Sequence, residues 1–439
     1  MAIPLYADIL GVRATIRYQE AGKPYALPSV KEVRGSAVVV NGQILTDIEL
    51  VRHAIAIELI NGNDSYQAEV TALGVDTGIA RLKLKKEMNL NSYEFYAGDI
   101  KAGSDADIFY YASGTINNSK IRVSHIAGEY IDGSDSDILM QIGFLEKNEQ
   151  FNGGAVIVDG KVAGIYHNGK AIPAIWIARF LKDLEDNEYH GIPHCGFLYT
   201  IPAHQGIRLK YGLSDNKGII FLKTLDPNRA KEFMPGDLIT KLNGFPIEEN
   251  GRINGVYFGD YIKTLYSGTY NIEVIRHGRL MSMNLEIKPL ASSAYRRRSF
   301  MDPRPYVLYA GLVFELLDYD LVHDTDARKK QTLLYRYYYH HTDGLWKETD
   351  RDIVLSGILD DPVTAGAGMF LYAPVYSVDD KIIRNLNDFM TALKGAQGRY
   401  IVFRFRNMEQ PLALNREEAL EATRRVELRY APVEEGRSR

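Results

Sequence analysis

Several short stretches of this chain carry side chains that could do chemistry. Asp132, Asp135 and Asp137 lie in the run Asp-Gly-Ser-Asp-Ser-Asp, a carboxylate spacing that could hold a calcium ion. The full calcium loop needs a terminal bidentate glutamate, which is absent, so a polar loop is the simpler reading. His190 and His194 flank Gly-Ile-Pro, and Cys195 follows at once. Imidazole and thiolate suit zinc, but a linker between domains explains the same residues. His340 and His341 follow Tyr337-Tyr338-Tyr339. Adjacent histidines point apart on a strand or helix, so this stretch reads as a partly exposed aromatic element. Glu49 and His53 stand four residues apart, a carboxylate and an imidazole that could serve as acid or base. With no nucleophile assigned beside it, His53 reads first as a surface or rim residue. These spacings imply no cofactor, and no metal site is assigned.

Composition narrows the classes. The chain has 439 residues, of which 46% are hydrophobic and 25% charged, the profile of a folded globular protein of about three domains. Lys and Arg number 52 against 56 Asp and Glu, a net charge of −4. That balance gives no phosphate-binding surface and argues against a nucleic-acid partner. Cys195 is the single cysteine, which excludes an intramolecular disulfide and any site built from several thiolates. It reads as a small buried residue. No run approaches the apolar length of a membrane-spanning helix, and the first residues show no signal peptide.

The elements that would position these residues come in blocks. Up to about residue 175 the chain reads as short β-branched strands, such as 36–40, 54–59 and 79–84. Asn41-Gly42, Asn61-Gly62 and Asp159-Gly160 separate them as turns, a pattern that predicts a barrel or sandwich. Ile177, Phe180, Leu181 and Leu184 predict a helix over 177–189, ended by Gly191-Ile192-Pro193. A first domain over 1–190 follows. A second unit, 194–289, carries a strand at 218–222, Pro235-Gly236-Asp237, Asn243-Gly244 and a closing hairpin turned at His277-Gly278. Residues 290–305 read as a linker, and its run Arg296-Arg297-Arg298 as a solvated charge cluster that could also meet an acidic partner. A third unit, 306–405, is expected to hold strands at 307–314, 353–359, 373–378 and 400–405, with a helix presenting Leu386, Phe389, Met390 and Leu393. Residues 406–439 are expected to be a tail, helical over 417–426 and loose at the end.

The order of motifs resembles a known family. Gly35-Ser36-Ala37-Val38, Ile44-Leu45-Thr46, Gly78-Ile79-Ala80 and Asn152-Gly153-Gly154-Ala155, followed by Val158-Asp159-Gly160 and Gly164-Ile165, resemble the protease domain of the HtrA/Deg serine proteases. The resemblance implies a trypsin-like double β-barrel, so the fold class is mainly β with α. The second unit is similar to that family's PDZ domain. The third, with Tyr309-Ala310-Gly311-Leu312-Val313-Phe314, is similar to the second PDZ domain of the two-PDZ Deg branch.

That family's chemistry needs a hydroxyl nucleophile, an imidazole base and an orienting carboxylate. Carried over residue by residue, the His position holds Glu49, the Asp position Gly78 and the Ser position Asn152. A shift of one or two residues would place Asp76 at the carboxylate position. The glycine that helps form the oxyanion hole is matched by Gln150. An amide is not a nucleophile, and Glu49 would have nothing to activate. The resemblance therefore implies a degenerate protease, or pseudoprotease. What remains is the PDZ chemistry: backbone N–H groups before a strand that hold a peptide's C-terminal carboxylate while the peptide adds as an extra strand. The matching residues are Gly196, Phe197, Leu198, Tyr199 and Thr200, running into Ile201. A neighbouring domain or the tail could instead cover this strand. The third unit is the lesser candidate for the same role.

The expected function is protein or peptide binding, as a scaffold, adaptor, chaperone or regulator, with peptide C-termini, an active Deg protease or unfolded clients as partners. The family's habit implies a homo-oligomer, a trimer or a multiple of it, working in a bacterial periplasm or cell envelope; the cytoplasm is the alternative. Two rivals stay open: a hydrolase with a relocated site, and a purely structural subunit.

Overall fold

The computed structural model describes residues 8–438 apart from 87, 99–100, 130–139, 214, 227, 290–302, 324, 327–329, 341, 431 and 435. Asp132, Asp135, Asp137, the arginine run 296–298 and His341 lie outside the described residues. The chain forms two compact units. One is Met1–Gly191 with Arg297–Pro305 and Pro432–Arg437; the other is Ile192–Arg296 with Tyr306–Ala431 and Ser438–Arg439.

In the first unit, β1 (Ile9–Tyr18), β2 (Ser29–Val40), β3 (Gln43–Asp47), β4 (Ala54–Asn61), β5 (Asp64–Gly74) and β6 (Ile79–Leu84) close into a barrel of order β1-β2-β3-β6-β5-β4. Alternate residues of these strands face inward: Leu10, Val12 and Ala14 of β1 pack with Val39, Leu59 and Leu82. A single helical turn, α1 (Ile48–Val51), follows β3. Then β7 (Asp105–Ala112), β8 (Thr115–Arg122), β9 (His125–Glu129), β10 (Met140–Phe144), β11 (Ala155–Val158), β12 (Lys161–His167) and β13 (Lys170–Pro173) form a sheet of order β8-β7-β11-β12-β13-β10-β9. Its core holds Ile108, Phe151, Val156 and Tyr166. The helix α2 (Ala174–Asp183) buries Trp176, Ile177 and Phe180. It starts earlier and stops sooner than the sequence pattern predicts, with Leu184 as its C-cap.

The second unit opens with β14 (Phe197–Thr200), α3 (Gln205–Tyr211), β15 (Ile219–Thr224), β16 (Leu238–Leu242), β17 (Phe245–Pro246), β18 (Arg252–Ile253) and β19 (Val256–Tyr257). The helix α4 (Phe258–Thr264) and the hairpin β20 (Gly268–Arg276) and β21 (Arg279–Ile287) complete this part, with sheet order β14-β15-β16-β20-β21. Its Pro235-Gly236-Asp237 corner is fixed by a two-pronged ion pair: Arg276 Nε donates to Asp237 Oδ1 at 2.7 Å and Nη2 to Oδ2 at 2.6 Å.

The remainder holds β22 (Tyr306–Tyr309), β23 (Leu312–Leu316), α5 (Tyr319–His323), α6 (Gln331–Tyr339), β24 (Ile353–Ile358), β25 (Val375–Val378), β26 (Lys381–Ile382), α7 (Leu386–Lys394), β27 (Tyr400–Phe405), β28 (Leu412–Asn415) and α8 (Arg416–Tyr430). Phe314, Phe389 and Phe403 meet at its centre, with ring centroids 4.8 and 5.5 Å from Phe314. The expected single strand 307–314 is instead a hairpin: Ala310 and Gly311 turn with φ +55° and +91°, pairing Tyr309 with Leu312. The expected tail is also corrected. Strand β28 pairs with β27, and α8 buries Ala419 and Ala422 in this core, so 406–430 belongs to the unit's packing. Arg425 on α8 grips Asp361 at 2.9 and 3.0 Å.

Candidate functional site

The loop matching the protease nucleophile is a short 3-10 turn, Glu149–Phe151, ending at Asn152. An oxyanion hole would need the N–H groups of Gln150 and Asn152 aimed at a substrate oxygen. Both are used within the loop itself. Gln150 N donates to the Asn148 side chain at 3.1 Å, and Asn152 N donates to the Glu149 carbonyl at 3.2 Å. The Asn152 side chain is also engaged, its Oδ1 accepting from Asn168 N at 2.9 Å. Gly153 sits at φ +76°, and a Cβ there would lie 2.0 Å from the Ser36 carbonyl oxygen, so the turn admits only glycine.

Glu49 lies on α1, where its carboxylate accepts from Arg52 Nη1 at 2.6 Å. Arg52 is itself only 3% exposed, so Glu49 serves as counter-ion to a buried cation. Gly78 closes a turn at φ +73°, and its carbonyl accepts from Ile48 N at 2.9 Å. Asp76, the alternative carboxylate, is buried in that turn. His53 is not the expected rim residue. It is 8% exposed, its backbone is left-handed at φ +64°, and its ring stands edge-on to Tyr18 at 5.7 Å. His340 is buried as well, with Nε2 3.1 Å from the Thr349 carbonyl, while Tyr338 and Tyr339 before it are exposed, so the stretch is partly exposed as expected.

A pair that the motifs did not single out does lie beside this loop. His167 Nδ1 stands 3.0 Å from Asp47 Oδ2, and both side chains are almost wholly buried, at 2% and 1% exposure. With the carboxylate accepting, Nδ1 carries the proton. Asp47 also caps α1 through Glu49 N at 2.9 Å. The nearby hydroxyls serve the backbone: Thr46 Oγ1 donates to the Ser36 carbonyl at 2.6 Å, and Ser36 Oγ accepts from Tyr111 N at 2.9 Å. Another hydroxyl–imidazole contact, Ser124 Oγ to His125 Nδ1 at 3.0 Å, is at the start of edge strand β9, three strands from β12. A cavity of about 780 Å³ opens where β4 and β5 diverge, lined by His53, Ile55, Val70 and Lys85 among others; Glu49, Gly78 and Asn152 do not line it.

Among the described residues no cluster of three or more His, Cys, Asp or Glu could hold a metal ion, and no helix is long and apolar enough to cross a membrane. His190 Nε2 pairs with Asp186 at 2.8 Å, which raises the imidazole pKa. His194 Nδ1 accepts from Gly196 N at 2.9 Å. Cys195 is buried, and desolvation pushes its thiol up to about 11.

The loop into β14 brings the sequence-matched residues together. Gly196 takes φ +77°. Phe197 is buried against Phe221, Phe233 and Phe258. Tyr199 stands edge-on to Phe258, and its Oη accepts from Gly259 N at 3.0 Å; burial pushes its pKa up to about 12. Leu198 and Thr200 are half-buried. Strand β14 pairs with β15 on one side, and among the described residues no strand pairs with its other edge. The third unit differs. Its β23 is paired on both edges, by β22 and β24, and Ala310 N donates to Thr423 Oγ1 of α8 at 2.8 Å. The Gly311-Leu312-Val313-Phe314 strand thus has no edge left for an added peptide.

Comparison with known proteins supports this anatomy. A family profile described as a PDZ domain matches residues 296–439. Protease Do-like 11, mitochondrial, of Arabidopsis thaliana is 22% identical over 423 residues, covering 92% of this chain and 70% of its own. A Ser-to-Ala variant of the HtrA-type protease AlgW, solved with a decapeptide, superposes at a TM-score of 0.50 with 18% identity, covering 65% of this chain and 94% of that one. The serine endoprotease of Yersinia pestis is 17% identical at a TM-score of 0.42, covering 64% and 94%. Fold and motifs define a trypsin-like protease fold, mostly β with some helices, carrying a PDZ domain. The chain is similar to HtrA/Deg-type proteases in sequence and in fold.

Proposed function

We propose that this chain is a non-proteolytic HtrA/Deg protein that works by holding peptide ends at the open edge of β14, as a scaffold, adaptor, chaperone or regulator. The observation that carries the non-proteolytic part is the loop at 149–153. Its Gln150 and Asn152 N–H groups are bonded within the loop, and its side chain at 152 is an amide bonded to Asn168. The binding part rests on β14, where Gly196, Phe197, Leu198, Tyr199 and Thr200 form a loop and strand with one edge that no strand pairs among the described residues. Incubation with unfolded casein and labelling with a serine-directed fluorophosphonate are expected to give neither cleavage nor adduct. Casein turnover lost in Asn152→Ala would overturn the reading. On a C-terminal peptide array, Leu198→Asp is expected to weaken binding; an array with no binder would favour the structural-subunit alternative.

The buried Asp47–His167 pair is the observation that favours a hydrolase with a relocated site. Both side chains are nearly sealed from solvent, which argues for a structural role. Hydrolysis that disappears in His167→Ala would establish the second reading. The proposal extends to a homo-oligomer, a trimer or a multiple of it, tested by sedimentation. It also extends to an envelope or periplasmic location, with the cytoplasm as alternative, tested by fractionation. Its partners would be protein C-termini, an active Deg protease or unfolded clients.

A further inference from the structure

We propose that the opening between β4 and β5 binds a short, extended, apolar segment of an unfolded polypeptide, which enters as an inserted strand. This site belongs to the first unit and does not depend on the reading of β14.

β4 and β5 are paired only from Asn61↔Asp64 to Ile57↔Ala68. Beyond that point β4 reaches back to Ala54 and β5 runs on to Gly74, with no ladder between them. Each arm keeps its partner on the far side: Ala54 and Ala56 pair with β1, and Val70, Ala72 and Gly74 pair with β6. Both far-side ladders shift register at this level, with Ile55 the extra residue of β4 and Thr71 that of β5. A bulge bends its strand, so two facing bulges splay the arms. Side chains fix both bends. Thr71 Oγ1 donates to the Arg81 carbonyl at 3.2 Å and accepts from Arg81 Nε at 3.0 Å. Just before β4, His53 takes φ +64°, its carbonyl accepts from Arg17 N at 2.9 Å, and its ring packs on Tyr18. A left-handed residue other than glycine is strained and persists only where its surroundings hold it.

The gap is a cavity of about 780 Å³ whose walls are the continuous runs 51–58 and 67–73. Two strand edges thus turn their N–H and C=O groups on one space, and an extended chain is the ligand that can pair with both. Residues 54–56 of one arm face 69–73 of the other, room for a strand of about three to five residues. Ala54, Ala56 and Ala72 are small enough to let a backbone approach. The floor is apolar, with Val51, Val70 and Leu73 packed on the barrel core, and Ile55 on the rim is 56% exposed. Charge on the walls balances. Arg52 is held by Glu49 and Glu58 by Arg13, which leaves Glu69 and Lys85, one of each sign. A neutral segment matches such walls better than a charged one.

The test uses the full chain and a fluorescein-labelled hexapeptide of alternating valine and serine, acetylated and amidated so that no free carboxylate is present. Hydrogen exchange read by mass spectrometry, with and without saturating probe, is expected to slow about tenfold or more at 54–56 and 69–73 together. A probe N-methylated at alternate amides loses its hydrogen bonds along one edge and should bind about tenfold more weakly. Ala56→Asp, at an exposed position, puts a charge on the wall and should weaken the parent probe about as much. A circular-dichroism melt checks that this variant folds; if it does not, the methylated probe and the exchange map on wild type decide. A capped probe that fails to bind, or that protects β14 and neither arm, would overturn the inference. So would equal affinity for parent and methylated probes, which would make the opening a pocket for small apolar groups. Arms already protected in a free chain that sediments as a dimer would overturn it too, since a second copy would then fill the gap.

Discussion

On the proposed non-proteolytic reading, placing His, Asp and Ser at positions 49, 78 and 152 should not build a protease. The variant Glu49→His, Gly78→Asp, Asn152→Ser restores imidazole, carboxylate and hydroxyl by type. It leaves the Asn152 N–H on Glu149 and the Gln150 N–H on Asn148. Losing one oxyanion donor costs about 10²–10³ in kcat, so two misdirected donors acting independently cost about 10⁴–10⁶. The substitutions also strain the scaffold. Gly78 sits at φ +73°, where a side chain costs about 1 kcal/mol. Ser at 152 gives up the acceptor for Asn168 N, about 1 kcal/mol more. Removing Glu49 takes a carboxylate partner from the buried Arg52, about 3 kcal/mol. Together these approach the net stability of a small domain. The assay is fluorescent-casein turnover beside an active HtrA-type protease, with a circular-dichroism melt to confirm folding. A folded variant is expected at or below about 10⁻⁴ of that reference. Turnover within about a hundredfold of it would refute the argument that the loop backbone, not only the side chains, has left catalysis.

Other outcomes follow from single contacts. Gly153→Ala drives a methyl to 2.0 Å from the Ser36 carbonyl at a left-handed φ, and should cost about 3 kcal/mol in urea unfolding. Asp361, whose carboxyl Arg425 holds below its usual range, ties α8 to the third unit. A lowered folded pKa stabilises above the unfolded value near 4 and is lost as pH falls through the folded value. The stability gap between wild type and Asp361→Asn should therefore be full at neutral pH and shrink below about pH 4; a gap that grows on acidification would contradict it. Native Cys195, buried with its thiol pushed up to about 11, should resist Ellman's reagent at pH 8 and react after denaturation.

What the sequence makes legible is what local chemistry writes into it. The barrel strands announce themselves through β-branched runs and Asn-Gly turns such as Asn41-Gly42, whose left-handed residues the structure shows at φ +47° and +74°. Glu49, Gly78, Asn152 and Gln150 follow from motif order. Features that depend on distant partners are hidden. Asp47 and His167 are 120 residues apart, and β12 is buried on both faces over 162–167, so no alternation marks His167 as inward-facing. The hairpin at 310–311 hides within an apolar run, because alanine rarely signals a left-handed turn.

A peptide held at β14 should be released uncut. The most direct measurement is mass spectrometry of an array-selected peptide after overnight incubation with the full wild-type chain at saturating occupancy. The peptide is expected to be recovered intact from the bound fraction. Fragments that form with wild type and vanish with Asn152→Ala or His167→Ala would contradict it.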